Sequence, residues 1–204
     1  MSDQSFRTPT GGKIDRSQPL TFTFDGKVYQ GYSGDTLASA LMANGVKLLA
    51  RSFKYHRPRG LTGYGVEEPN VLVQLRTGAR SEPNIPATRI ELYEGLVAES
   101  QNRWPSLHFD IGAVNSKLSG LFPSGFYYKT FMWPAKFWRI YEHAIRHIAG
   151  MGKSTTLEDP DSYAHNYRHC DVLIAGGGPA GLMAALSAGR SGARVIMCDE
   201  NANF

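Results

Sequence analysis

Three glycines near the carboxyl end of the sequence have the spacing of a nucleotide-binding turn. They fit the pattern G-x-G-x-x-G and follow an apolar run, 172–175, that predicts a strand buried on both faces. The first glycine permits a tight reversal, the second lets the backbone approach a pyrophosphate, and the third lets a helix pack on the strand. The candidate cofactor-binding residues of this turn are Gly176, Gly177, Gly178, Pro179, Ala180 and Gly181.

A helix and a second strand are predicted to follow the turn. Apolar residues have helical spacing from Leu182 to Gly189, and the run 194–198 predicts a strand that ends in Asp199 and Glu200. A carboxylate at this point can accept hydrogen bonds from the ribose of an adenosine, which disfavours NADP. Either acid can fill that role, and the same glycine pattern serves FAD as well as NAD.

The residues upstream predict an α+β domain over 19–101, preceded by a flexible arm at 1–18. Alternating residues around Asp25-Gly26 predict a β-hairpin, and Asp35 is the expected N-cap of the helix that follows. After a long loop, two further strands are predicted, at 71–75 and at 88–93.

This element order resembles the β-grasp of plant-type ferredoxins, whose loop after the helix holds an iron–sulfur cluster through cysteines. The corresponding loop here, 51–70, contains no cysteine, and the whole chain has only Cys170 and Cys198. We therefore expect a ferredoxin-like β-grasp that lacks the cluster cysteines and binds no iron–sulfur cluster. The loop is instead basic and aromatic, which suits either a phosphate-bearing cofactor, an acidic partner or internal pairing.

An aromatic-rich connector is expected over 102–168, between the β-grasp and the nucleotide-binding segment. Pro134 predicts the start of a helix that runs to Ile148. His143 and His147 have the i, i+4 spacing of a metal pair, but no third ligand is evident, so no metal site is predicted. The aromatic side chains can pack on this chain's own domains or on another subunit.

Composition excludes several classes of protein. The net charge of +4 over 204 residues does not call for nucleic acid, and no run is apolar enough for a membrane span. The first twenty residues contain no apolar signal region, so a cytoplasmic location is expected. Since the second strand is followed by few residues, 169–204 is expected to be the truncated start of an α/β Rossmann-type domain in a longer polypeptide.

Several stretches together resemble the amino-terminal region of the α subunits of heterotetrameric sarcosine oxidases. They are FTFDGKVYQGYSGDTLASALMANGVKLLARSFKYHRPRG, GARSEPN, QNRWPSLHFD, FYYKTFMWP and DVLIAGGGPAGLMAAL. SFKYHRPRG also resembles hydrogen cyanide synthase and opine or proline dehydrogenase subunits, in which related domains can carry cluster cysteines. The absence of those cysteines favours the sarcosine oxidase family.

The resemblance implies an oxidoreductase that demethylates sarcosine to glycine with release of hydrogen peroxide and transfer of the one-carbon unit to tetrahydrofolate. It also implies NAD at the glycine turn, flavin chemistry shared with another subunit, and a hetero-oligomeric assembly. No catalytic residue is assigned within these residues, and the fragment alone is expected to be inactive. The alternatives are an FAD-dependent opine, proline or amine dehydrogenase subunit and a non-catalytic β-grasp interaction module.

Overall fold

The computed structural model of the chain describes residues 4–121, 125, 133–148 and 150–199. Contacts within the chain divide it into two compact units, 1–159 and 160–204, and each unit is described by itself. Within the described residues, no helix combines the length and apolar character needed to cross a membrane.

The first unit begins with a β-hairpin whose turn is formed by Asp25 and Gly26. Strand β1 (Asp15–Phe24) pairs antiparallel with β2 (Lys27–Ser33). The turn residues have φ values of 48° and 75°, the left-handed backbone that a type I′ turn requires at both central positions. The predicted hairpin is therefore confirmed.

The segment before the hairpin contacts the folded unit. Arg7 forms a bidentate ion pair with Asp35, in which Nη2 lies 2.6 Å from Oδ2 and Nη1 donates to Oδ1 at 3.1 Å. The same guanidinium lies 5.0 Å from the centre of the Tyr32 ring. The sequence predicts a flexible arm over 1–18, whereas the described part of that segment supplies a cation to a buried carboxylate and strand β1 already begins at Asp15.

Helix α1 (Leu37–Ala43) is capped by Thr36 and not by Asp35, which corrects the sequence-based expectation. The N–H of Ser39 donates to Thr36 Oγ1 at 3.1 Å, and the N–H of Thr36 donates to Ser39 Oγ at 2.9 Å. These two bonds form a capping box. Asp35 lies one residue before the cap, and its carboxylate binds the Arg7 guanidinium and accepts from Ser39 Oγ at 2.8 Å.

Three further strands complete a mixed sheet of five strands. Strands β5 (Leu72–Leu75), β6 (Glu82–Pro86) and β7 (Leu96–Ser100) join the hairpin in the order β2-β1-β7-β5-β6. Strands β1 and β7 are parallel, and the other neighbours are antiparallel. The strand predicted at 71–75 is confirmed as β5.

The strand predicted at 88–93 was wrong. Its backbone bonds to the beginning of α1 rather than to the sheet: Leu37 N–H donates to Ile90 O, and Leu92 N–H donates to Asp35 O, both at 2.8 Å. The Ile90 and Leu92 side chains are buried. The alternation of apolar and polar residues over 88–93 therefore arises because one side of this irregular segment faces the core, and not because the segment is a strand.

One apolar core joins α1 to the sheet. Its fully buried members include Phe22, Leu37, Leu41, Leu49, Val71, Val73 and Leu96. Burying a side chain of this size contributes roughly 1.5–3 kcal/mol. Packing against the sheet thus stabilises a helix of only seven residues, which is too short to be stable alone.

The connection between α1 and β5 contains little regular structure. Strands β3 (Ala50–Arg51) and β4 (Pro58–Arg59) form one short antiparallel pair, and a single 3-10 turn covers Gly65–Glu67. Buried backbone N–H and C=O groups need hydrogen-bond partners. Because this connection has few pairings between backbone groups, side chains must act as partners for many of its backbone groups.

The connector after β7 contains two described α-helices. Helix α2 (Val114–Lys117) is short, and α3 (Trp138–Ile148) follows a 3-10 turn at Ala135–Phe137. The helix predicted from Pro134 is thus confirmed. The aromatic residues Phe126, Tyr127, Tyr128 and Phe131 lie outside the described residues.

The second unit contains a β-α-β arrangement. Strand β8 (Val172–Ala175), helix α4 (Pro179–Arg190) and strand β9 (Val195–Cys198) follow one another, and the two strands are parallel. The predicted strand, turn, helix and second strand are confirmed as elements. Burial of β8 on both faces is not observed, since Leu173 is 65% exposed and the described residues place only two strands in this sheet.

Candidate functional site

The glycine turn leads directly from β8 into α4. Gly176 has a φ of 108°, which is strained for any residue with a side chain. Gly178 is the N-cap of α4 and has no side chain with which to cap the helix. Pro179 at the first helical position has no N–H to satisfy. The start of α4 therefore presents backbone N–H groups and the positive end of the helix dipole.

The second and third glycines of the pattern have different surroundings. A Cβ placed on Gly181 would overlap the carbonyl oxygen of Gly176 and approach Ile174 Cγ2 to 3.4 Å. A Cβ on Gly178 would meet nothing within 4 Å. Gly181 thus permits a close crossing of helix and turn, whereas Gly178 borders open space that a ligand can enter.

The carboxylate of Asp199 lies beside the turn. It accepts a hydrogen bond from the N–H of Gly177 at 2.6 Å, and the carbonyl of Cys198 accepts one from the N–H of Gly176 at 2.8 Å. The end of β9 and the glycine turn are therefore held together. Glu200, the alternative ribose ligand from the sequence, lies outside the described residues.

These groups fit the adenosine diphosphate half of a dinucleotide. The helix start offers N–H donors to a pyrophosphate, the turn is open at Gly178, and Asp199 ends the second strand, where a ribose hydroxyl can donate to it. Ala180 occupies the first turn of α4 and carries only a methyl group beside the donors. The second unit thus supplies both polar functions that the ligand needs.

The basic loop of the first unit is largely occupied by internal contacts. Arg51 is buried, and its Nε donates to the carbonyl of Leu107 at 2.9 Å. His56 Nδ1 lies 2.6 Å from Oδ2 of the buried Asp110. The Arg57 guanidinium lies 4.8 Å from the centre of the Tyr55 ring. Internal pairing, one of the interpretations that the sequence leaves open, therefore accounts for these residues.

The described part of the chain brings no metal-ligating cluster together. Among the described residues, no group of three or more His, Cys, Asp and Glu side chains is arranged to hold an ion. His143 is exposed, with its Nδ1 3.8 Å from a carboxylate oxygen of Glu142. The side chain of His147 lies outside the described side chains.

Buried carboxylates are the polar groups that sequence reasoning missed. Glu68 and Asp110 are both buried, and neither was named as a candidate from the sequence. Asp110 precedes a 3-10 turn and accepts the N–H of Gly112 at 3.1 Å. An N-cap pattern at residues 110–113 was the one signal that could have indicated it.

Two family models match separate parts of the chain. Residues 17–103 match a 2Fe-2S iron-sulfur cluster binding domain, and residues 171–203 match an FAD dependent oxidoreductase. A [2Fe–2S] cluster is held by four ligands, usually cysteine thiolates. The only cysteines, Cys170 and Cys198, lie outside the first match. The residues present therefore do not fit a cluster in this domain.

Two relatives that match nearly the whole chain have the same name, sarcosine oxidase subunit alpha. Sarcosine oxidase subunit alpha of Rhizobium meliloti (strain 1021) is 60% identical over 96% of this chain and 20% of its own length. The protein of the same name from Corynebacterium sp. (strain U-96) is 35% identical over 93% of this chain and 15% of its own length.

A solved structure, L-proline dehydrogenase from P. horikoshii, is similar to 90% of this chain and 25% of its own chain, with 21% identity and a TM-score of 0.44. The present chain spans about a fifth of the length of its Rhizobium relative. At 60% identity across nearly all of its own residues, it is similar to the sarcosine oxidase subunit alpha of Rhizobium meliloti (strain 1021).

Proposed function

We propose that this chain is part of an oxidoreductase subunit and that its second unit binds the adenosine diphosphate half of a dinucleotide. The observation that carries the proposal is the parallel β8-α4-β9 unit, in which the Asp199 carboxylate lies against the glycine turn. Gly178 leaves space beside the turn for the pyrophosphate. This unit is the start of a Rossmann-type domain, preceded by a β-grasp at 19–101 and a connector at 102–168.

FAD and NAD are the two candidate ligands. The match of residues 171–203 to an FAD dependent oxidoreductase favours FAD. The resemblance of the sequence to sarcosine oxidase α subunits favours NAD, and an acid after the second strand suits the adenosine ribose of either. Because both ligands share the adenosine diphosphate half, the same residues hold either one.

The proposed reaction is the oxidative demethylation of sarcosine, with the one-carbon unit passed to tetrahydrofolate. Support comes from the two sarcosine oxidase relatives, whose names describe a subunit of a larger enzyme. The bound dinucleotide would supply electron-accepting capacity when present. The contribution of residues 176–199 is to bind and orient it, and the reacting groups belong to other parts of the assembly.

A glycine substitution tests the binding role. Gly178→Val places a branched side chain in the open space beside the turn, where the pyrophosphate is expected. Gly189→Val is the matched control, because a Cβ at Gly189 also meets nothing within 4 Å but lies near the far end of α4. Each full chain is purified with its partner subunits, and bound nucleotide is released with acid and identified by chromatography.

We expect the wild-type chain and the Gly189→Val variant to release the same amount of FAD or NAD. The Gly178→Val variant should release much less of that nucleotide while remaining folded by circular dichroism. Equal nucleotide content in all three proteins would contradict the binding role. Recovery of FAD alone at this site would select the FAD-dependent alternative.

A further inference from the structure

The carboxylate of Glu68 is buried inside the connection between α1 and β5. Its side chain is among the largest fully buried ones of the chain, at 2% exposure. Oε2 accepts from the N–H groups of Thr62 and Gly63, each at 2.7 Å, and Oε1 accepts from the N–H of Asn70 at 2.8 Å. The partners of this anion in the described structure are thus backbone groups.

These contacts join two ends of a loop that has little regular structure. Thr62 and Gly63 lie before the 3-10 turn and Asn70 after it, so one side chain bridges both ends. Asn70 Nδ2 reinforces the closure by donating to Thr62 Oγ1 at 2.8 Å. A buried charge is costly unless its hydrogen bonds are satisfied, so the carboxylate needs the N–H groups of this loop. The loop in turn needs the carboxylate as the acceptor for these N–H groups.

The domain in which this loop lies matches a family described as binding a 2Fe-2S cluster, yet residues 17–103 contain no cysteine. The loop must therefore take its shape from groups of the protein itself. We propose that the Glu68 carboxylate organises residues 61–71 as an internal anion, in a domain that has no ligands for an iron–sulfur cluster. Glu68 is thus a positioning residue of the loop.

Neighbouring glutamates provide a matched test. Glu67 is exposed whereas Glu68 is buried, so Glu67→Gln removes the same charge one position away without removing the buried contacts. In Glu68→Gln, the amide NH₂ replaces one acceptor oxygen and faces backbone donors. Hydrogen–deuterium exchange of the full chain, read by mass spectrometry over peptides 61–71, reports these N–H groups directly.

We expect exchange within 61–71 to be about tenfold faster in Glu68→Gln than in the wild type, because hydrogen bonds to a charged group are lost. Exchange in Glu67→Gln should equal that of the wild type. Equal rates in the two variants would overturn the proposal. If Glu68→Gln fails to fold, Glu68→Asp is tested instead, because its shorter side chain keeps the charge but draws the carboxylate away from the N–H groups. Exchange equal to that of the wild type in Glu68→Asp would also overturn the proposal.

The same readout tests the absence of a cluster. Anaerobic incubation of the wild-type chain with ferrous iron and sulfide should leave exchange over 44–71 unchanged, because this segment has no thiolate. New protection of this segment after the treatment would show that a cluster organises it, and would contradict the role given to Glu68.

Discussion

At the scale of single residues, three buried carboxylates in the first unit are each bound by different partners. Asp35 receives the guanidinium of Arg7 from the segment before β1. Asp110 lies 2.6 Å from His56 Nδ1 and also accepts the N–H of Trp104 at 3.0 Å. Glu68 has backbone partners. Each carboxylate ties segments that the sheet does not reach. For the Arg7–Asp35 pair, removal of one partner from a buried ion pair typically costs about 3–5 kcal/mol.

The pKa of Glu68 predicts a pH dependence of stability. Burial alone raises this pKa, but the N–H groups of Gly63, Thr62, Asn70 and Val71 outweigh it, so that the pKa lies below its ordinary value of 4.5. The folded state therefore binds this proton more weakly than the unfolded state. The resulting stability is fully present above about pH 4.5 and is lost as the pH falls through the lower folded-state pKa.

Urea unfolding of the wild type and of Glu68→Gln from pH 7 to pH 3 measures this contribution. We expect the variant to be less stable at pH 7 by about 1.5–3 kcal/mol, as for other hydrogen bonds to charged groups. The difference should shrink as the pH falls below 4.5. A difference that is constant over this range would mean that the carboxylate charge is not what stabilises the loop.

At the scale of elements, glycine-based signals with a direct physical cause gave correct predictions, whereas the N-cap expected at Asp35 and the strand expected at 88–93 were wrong. Asp25-Gly26 specified its hairpin through left-handed backbone, and the glycine pattern specified β8, α4 and β9. The edge strand β6 was missed because its sequence, EPNIP, has two prolines and no alternation. Strand β7 was missed because its pairing with β1 and β5 is between residues distant in sequence.

The candidate site was likewise predictable only where a local sequence signal exists. Spacing indicated the turn, because each glycine has a local mechanical role, and an acid at either Asp199 or Glu200. The hydrogen bond from Gly177 N–H to the Asp199 carboxylate depends on the parallel pairing of β8 with β9, which spacing does not specify. The contacts of Glu68 and His56 were not predictable, since they depend on loop conformations without a sequence motif.

Helix α4 provides a prediction at this scale. Gly181→Ala would force α4 away from the turn, because the added Cβ overlaps the carbonyl oxygen of Gly176. Gly189→Ala, in open space on the same helix, should be neutral or slightly stabilising. We expect the first variant to lose bound nucleotide and to exchange amides in 172–190 faster than the second. Equal behaviour of the two variants would show that this close crossing is not required.

At the scale of the whole molecule, the proposed function concerns only one of the two units. The first unit, 1–159, contains a mixed sheet covered by α1, a long loop held by a buried carboxylate, and the connector with α2 and α3, and no ligand is proposed for it. The second, 160–204, carries the proposed nucleotide site. The chain spans about a fifth of the length of its Rhizobium relative, and no reacting group of the proposed sarcosine chemistry is assigned within 1–204.

The position of the bound dinucleotide tests the central claim most directly. The measurement is a cryo-electron microscopy or crystal structure of the full chain with its partner subunits and its co-purified nucleotide. We expect the pyrophosphate at the beginning of α4, beside Gly178, and a ribose hydroxyl bonded to Asp199. A nucleotide bound elsewhere, with the turn at 176–181 empty, would contradict the account.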